Sequence, residues 1–227
     1  MDKLKRQNRA LNPIASSIVL LANIVAFAGG IDCKNCDTVS TCESYTGKRT
    51  ALFGSWIEWI EAPCPTANRN RNTRAVVLSA RSLDSTTGDC TIKHGKWIDP
   101  YTDSVYLDAH ALQIDHVVPL DEAYISGAYK WTRKDRVSFA NDTSVLNITS
   151  RHQNESKGSK DVAEWLPPKN QKEYYIKWAQ IKRKYNLVAD SSELDVLRKY
   201  VSKDELPKLG TKVLCTGSSD QGQAMGK

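Results

Sequence analysis

The chain has 227 residues, of which 26% are charged and 40% hydrophobic, the balance of a soluble globular chain rather than a disordered or membrane-embedded one. The length suits one domain of ordinary size, and no glycine period, heptad or internal repeat runs through it. The formal charge is +6, but Lys3, Lys5, Arg6, Arg9 and Asp2 fall in the first nine residues, and without them 28 basic residues face 25 acidic ones; the distribution of charge is therefore more informative than its sum.

The N-terminus reads as an export signal. A basic stretch ends at Arg9, and an apolar run from Ile14 to Ala28 follows, about the length of a signal core and short of the ~20 residues of a spanning helix. Ala26-Phe27-Ala28 places small residues where a signal peptidase reads, which predicts a signal peptide over 1–28 and cleavage after Ala28. The alternative is a membrane anchor made by the uncleaved segment, since the uncharged stretch Ala10–Ile31 is long enough to span. The mature chain keeps six cysteines, Cys33, Cys36, Cys42, Cys64, Cys90 and Cys215, an even number that reads as three disulfides in an exported protein. Cys33 and Cys36 have zinc-like spacing but no second pair or nearby His pair. The sequence leaves connectivity open, with Cys64–Cys90 as the first candidate.

Residues 29–50 are expected to be irregular and cysteine-pinned. Phe53-Gly54-Ser55-Trp56-Ile57 reads as a core or edge strand, and residues 65–74 as a polar loop ending in a helix that Thr73 caps. Residues 91–98 suggest two short strands turning at His94-Gly95, and Ser104–Leu107 another. Leu112–Leu120 reads as a strand with Asp115 and His116 embedded in it. Short helices are expected over 121–126, which Gly127 ends, and over 133–140. Val145, Leu146 and Ile148 suggest a strand or turn before a helix beginning near Ser150. Pro168 is placed in the first turn of the next helix, where Tyr174, Tyr175, Trp178, Ile181 and Tyr185 share one face and Lys172, Lys177, Lys182, Arg183 and Lys184 lie on the rest. Ser192 with Asp195 is expected to open a last helix. A tail over 206–227 is expected to be partly disordered, from its Gly/Ser/Gln-rich end at Gly217.

Two polar residues inside an apolar strand need a reason, because burying them unpaired costs ~1–3 kcal/mol each or more. An Asp can hold a hard cation, and a His takes a proton near neutral pH. Asp115-His116 stands in an ordered set of blocks: Phe53-Gly54-Ser55-Trp56; Asn72 to Leu78; Gly88-Asp89-Cys90; Gly95-Lys96-Trp97 with Asp99-Pro100-Tyr101; Ile114 to Leu120; Phe139-Ala140-Asn141-Asp142; Asn154 with Ser156-Lys157-Gly158; and Glu164 to Pro168. In these blocks the chain resembles the HNH endonucleases, more narrowly their secreted branch, over roughly residues 50–200.

The resemblance implies an α+β fold: a small ββα-metal core, about residues 90–165, embedded in a mainly helical, disulfide-stabilised nuclease domain over 51–205. It implies Asp115 and Asn154 as ligands of one divalent cation, Mg2+ first and Mn2+, Ni2+ or Zn2+ as alternatives. His116 is implied as the general base, with 5′-phosphate and 3′-hydroxyl products. The family has an Asn nine residues before its last one, bracing the loop that carries the base; here Val145 stands there, and Asn147 or Asn141 is left to replace it. Asn147 is taken as the catalytic brace. Lys157, Arg151 and His152, beside the proposed ligand, are expected to bind substrate, and His152 is also an alternative ligand to Asn154.

From Lys130 to Tyr185 thirteen basic residues face six acidic ones, which fits a polyanion. No base-reading module is evident, so the expected partner is double-stranded DNA, or RNA, met with little sequence preference by a monomer not stably bound to a membrane. The sequons at Asn141, Asn147 and Asn154 would put glycans around the cleft, which argues for bacterial export to periplasm or medium. The competing readings are an inactive nucleic-acid-binding exported protein and a disulfide-rich surface protein.

Overall fold

The computed structural model describes residues 49–213. The expected signal peptide over 1–28, residues 29–48, the cysteines Cys33, Cys36, Cys42 and Cys215, and the tail beyond Val213 lie outside the described residues. Within them the chain forms helices α1 (Arg49–Phe53), α2 (Thr73–Arg81), α3 (Leu120–Ile125), α4 (Arg133–Asn141), α5 (Arg151–Lys157), α6 (Gln171–Lys184) and α7 (Ser191–Leu197). Strands β1 (Glu58–Pro63), β2 (Asn70–Asn72), β3 (His94–Ile98), β4 (Val105–Asp108), β5 (Leu112–His116) and β6 (Leu146–Ser150) pair antiparallel in three two-stranded sheets, β1–β2, β3–β4 and β5–β6. The fold is α+β.

Several elements differ from expectation for local reasons. Phe53 ends a helix rather than lying in a strand, and Gly54 turns the chain at φ +69°. The cap of α2 is Asn72, whose side-chain oxygen accepts the amide of Ala75 at 3.0 Å; Thr73 is the first helical residue, and its hydroxyl donates to Asn141 Oδ1 at 2.5 Å. His94-Gly95 is not a turn: β3 runs through it and pairs with β4, Trp97 facing Tyr106. Pro168 precedes α6, which starts after Asn170 in the left-handed region at φ +54°. Asp190, not Ser192, opens α7, in a reciprocal capping box with Glu193.

The aromatic face of α6 is as the periodicity predicts. Tyr174, Tyr175, Trp178 and Ile181 are buried in a core that includes Phe53, Leu78, Trp97, Leu112, Phe139 and Leu146. Each such side chain contributes about 1.5–3 kcal/mol of burial, before chain entropy is counted. The polar face is not as predicted. Lys182 is fully buried, its ammonium 2.5 Å from Glu122 and 2.7 Å from Glu193. Lys212 joins the same cluster, 2.7 Å from Asp161, 3.0 Å from Glu193 and 3.1 Å from Asp190. Lys182 is thus structural, not part of a basic surface.

The first part of the tail expected over 206–227 is ordered. Ala189 N–H donates to Lys208 O at 2.9 Å and Val213 N–H to Ile125 O at 3.0 Å, so residues 206–213 are built into the domain. Cys64 and Cys90 form the expected disulfide, Cα atoms 5.0 Å apart, closing a separation of 26 residues.

The β5–β6 pair positions the candidate site. Asp115 faces Asn147 and His116 faces Leu146 across the ladder. α5 follows β6 directly, because the Ser150 hydroxyl accepts from Gln153 N–H at 3.3 Å and caps it. The chain turns out of α5 at Gly158, φ +54°. Strand, strand and helix are therefore consecutive in space.

Candidate active site

Asp115 and His116 end β5, and strand alternation sends their side chains to opposite faces. Asp115 is buried. Its Oδ2 accepts from the Tyr101 hydroxyl at 2.7 Å and its Oδ1 from Lys157 Nζ at 2.8 Å. Lys157, the last residue of α5, also donates to His116 O at 2.8 Å, so one ammonium fastens the helix end to the strand end. Its side chain is 0% exposed and its ammonium is bonded within the protein, although it lines the cavity described below.

His116 is 8% exposed and lies between two rings. Trp56 stacks on it with centroids 5.6 Å apart and planes 12° from parallel, and Phe139 lies on the other side at 6.5 Å. The ring nitrogen Nε2 is 2.9 Å from Ala140 O. A carbonyl only accepts, so Nε2 carries the proton and Nδ1 of the neutral ring keeps a free lone pair. Burial, with Arg49 and Lys157 adding to it, pushes the imidazole down to about 3. Burial thus favours the neutral imidazole, the form that accepts a proton.

The braces are not where the sequence put them. Asn147 Oδ1 accepts from Lys177 Nζ at 2.9 Å and Arg81 at 3.1 Å, and Asn147 stands opposite Asp115 rather than at His116. Val145 is buried, and its main chain does the bracing: Val117 N–H donates to Val145 O at 2.9 Å, tying down the residue after the histidine. Asn141 accepts from Ile57 N–H at 3.0 Å and donates to Ser55 O at 3.2 Å, so it fixes the loop that carries Trp56. Asn141 and Asn147 are 2% and 7% exposed, so a glycan at either is incompatible with this packing and those two sequons say nothing about the export route.

Asn154 on α5 is half-buried and donates from Nδ2 to Gln113 Oε1 at 2.6 Å, which turns its carbonyl oxygen away from that bond. An open cavity of about 500 Å3 joins it to the rest: Asp115, His116, Asn154, Trp56, Arg49 and Arg74 all line it, together with Lys157 and Asp121. Arg151 and His152 do not line it; both are exposed, and Arg151 pairs with Glu155 at 2.6 Å. One carboxylate and one amide oxygen suit a hard cation that keeps most of its shell for water and phosphate oxygens, better than Zn2+ with its nitrogen and sulfur ligands. Asp115 has the capacity, since an ionised carboxylate offers about four acceptor sites and two are in use. Among the described residues, the trios of potential ligands lie elsewhere: Cys64, Asp89 and Cys90, already a disulfide, and Asp161, Asp190 and Glu193, filled by Lys212.

Sequence reasoning missed Arg74, Arg49 and Tyr101 as parts of the site, and read the segment of Trp56 as a core or edge strand. Arg74 carried a signal, being the cation that opens the otherwise apolar turn Ala75-Val76-Val77-Leu78. Tyr101 and Trp56 carried none beyond their blocks, because both reach the site across the fold.

No protein-family model matches this chain, nor does any solved structure. A protein of Arthroderma benhamiae, described as an uncharacterized secreted protein, is 36% identical over 131 residues, 56% of this chain and 64% of that protein. The chain thus aligns with less than two thirds of that relative's length. Among the described residues, no helix is long and apolar enough to cross a membrane.

Proposed function

We propose that this protein is an exported, metal-dependent endonuclease of the HNH type, cutting DNA with little sequence preference. The observation that carries this reading is the meeting, around one cavity, of a strand ending in Asp115-His116 with a helix bearing Asn154, in the order strand, strand, helix. A secreted relative supports export.

In this reading His116 Nδ1 takes a proton from water, and the hydroxide attacks the phosphorus while the 3′ oxygen leaves. The Ala140 carbonyl, bonded to Nε2, steadies the imidazolium that forms. Trp56 and Phe139 keep the ring in one plane. Asp115 and Asn154 are the residues that would hold a divalent cation, which when bound neutralises charge on the phosphate and leaving oxygens. Lys157 and Tyr101 fix the rotamer of Asp115.

Nicking of supercoiled plasmid by the mature protein, in Mg2+, in Mn2+ and in EDTA, tests this. Nicking that EDTA abolishes supports it; no nicking in either cation overturns it. A second reading, a nucleic-acid-binding protein without catalysis, is favoured by the Lys157 ammonium already seated on Asp115 Oδ1. It predicts duplex binding with no strand cut in any cation.

A further inference from the structure

Among the described residues, Arg74 is a cation without a counter-ion. It sits in the first turn of α2, half-buried, on the wall of the cavity that holds His116. Its NH2 group donates to Ala109 O and to Leu112 O, each at 2.9 Å, which fixes the guanidinium against the start of β5. Among the described residues no carboxylate lies within ion-pair distance of it, and Nε and NH1 have no acceptor. The two fully buried cations are compensated, Lys157 by Asp115 and Lys182 by Glu122 and Glu193, whereas Arg81, Lys177 and Arg136 bond to amide and carbonyl oxygens as Arg74 does but do not line the cavity. A guanidinium that gives up water without a partner is costly unless a ligand supplies the anion. A planar fork with free donors matches phosphate oxygens better than a point charge would.

Two further features favour an anion here. Arg49 lines the same cavity, its guanidinium 5.3 Å over the Trp56 ring and, among the described residues, without an ion pair. The acids of the cavity do not cancel this charge: Asp115 is taken by Lys157, and Asp121 is bonded to neither arginine. One positive charge is left over.

We infer that Arg74 binds a backbone phosphate of the substrate, using the donors its bonds to Ala109 and Leu112 leave free, and that Arg49 contributes a second, weaker contact from the Trp56 side of the cavity. The inference rests on the nuclease reading for the identity of the anion, a phosphodiester. It takes the place of Lys157, Arg151 and His152 as the phosphate contact, since the first lines the cavity but has its ammonium bonded to Asp115 and His116 O, and the others lie off the cavity.

The test is binding of a fluorescein-labelled 16-base-pair duplex by anisotropy in EDTA, across a salt series, for the parent, Arg74→Gln, Arg74→Lys and Arg49→Gln. Arg74→Gln should weaken binding roughly tenfold or more and lower the slope of log K against log salt by about one. Arg74→Lys should lie between it and the parent, and Arg49→Gln should fall less than Arg74→Gln. Because Arg74 also bonds two carbonyls, the Nε–H resonance of Arg74 in the parent protein, assigned by its loss in Arg74→Lys, gives a readout that needs no stable Gln variant. It should shift when duplex is added in EDTA. An unshifted resonance, or an Arg74→Gln variant that binds with the parent's affinity and slope, overturns the inference while a nicking parent leaves the nuclease reading intact. A parent that neither binds duplex nor nicks plasmid overturns both.

Discussion

The indole of Trp56 lies flat on the imidazole of His116, centroids 5.6 Å apart. One face of the ring is thereby closed to water, Phe139 closes the other, and the result is a histidine held neutral by burial with a single free nitrogen. Trp56→Leu should open that wall. The His116 imidazole should then titrate well above about 3, moving toward its ordinary value near 6.5, and nicking should fall because the ring loses the stack that fixes its orientation, despite the gain in basicity. Trp56→Phe should restore much of both. Ring-proton NMR against pH reads the first effect, and an unchanged His116 titration in Trp56→Leu would remove the stack from the argument.

The same depression fixes a pH dependence of stability. Between about 6.5 and about 3 the unfolded chain binds a proton at His116 that the folded protein does not, so stability is greatest above 6.5 and declines as pH falls through this window. Urea midpoints between pH 7 and pH 5.5, above most carboxylate titration, should fall in the parent and fall less in His116→Phe. Equal slopes in the two proteins contradict the assignment.

His116→Ala should lower nicking about 10²–10⁴-fold, the usual worth of a general base, with duplex binding retained. Single-turnover nicking at saturating protein is the measurement, and an alanine variant cutting at the parent rate refutes the role given to Nδ1.

Asp115→Ala should do more than weaken cation binding. It strands the sealed Lys157 ammonium, and breaking a buried pair by removing one partner costs about 3–5 kcal/mol. Denaturant unfolding should show that loss, and the double variant Asp115→Ala/Lys157→Met should recover part of it. Asn154→Ala, whose amide pairs only with Gln113, should leave stability nearly unchanged and reduce cation affinity by calorimetry. If neither variant changes the cation titration, these two residues are not the ligands.

Reduction of Cys64–Cys90 should lower the melting temperature. A bridge closing a 26-residue separation constrains the unfolded chain by about 3–4 kcal/mol on the loop-entropy account. Cys64→Ser/Cys90→Ser should melt lower by the same interval, and a melting temperature indifferent to dithiothreitol with free thiols at both positions excludes it.

Periodicity and punctuation located most of the elements. Alternation around Ile114, the i, i+4 aromatics of α6 and the stop at Gly127 were all legible. Caps were less so: Asn72 and Thr73 are both good capping residues, and the choice went to Asn72 because Thr73 is needed by Asn141. The polar face of α6 misled, since a lysine surrounded by lysines and arginines in sequence reads as surface, and only carboxylates from α3 and α7 make burial of Lys182 affordable.

The sequence by itself determined which residue types stand together. It placed Asp115 beside His116 in an apolar strand and Asn154 downstream before a glycine, and it offered Cys64 and Cys90 as a pair. These are local or near-local facts, carried by strand period, turn residues and residue chemistry. Tertiary structure alone decided what each group does. Lys157 is a buried partner of Asp115 rather than a surface contact, Asn147 backs the aspartate rather than the histidine, and Val145 braces through its carbonyl. Arg74 became a candidate anion contact because it lines the cavity and, among the described residues, no acid lies against it. Whether a charge is paired depends on residues scores of positions away, and that pairing is set by packing, which no local pattern encodes.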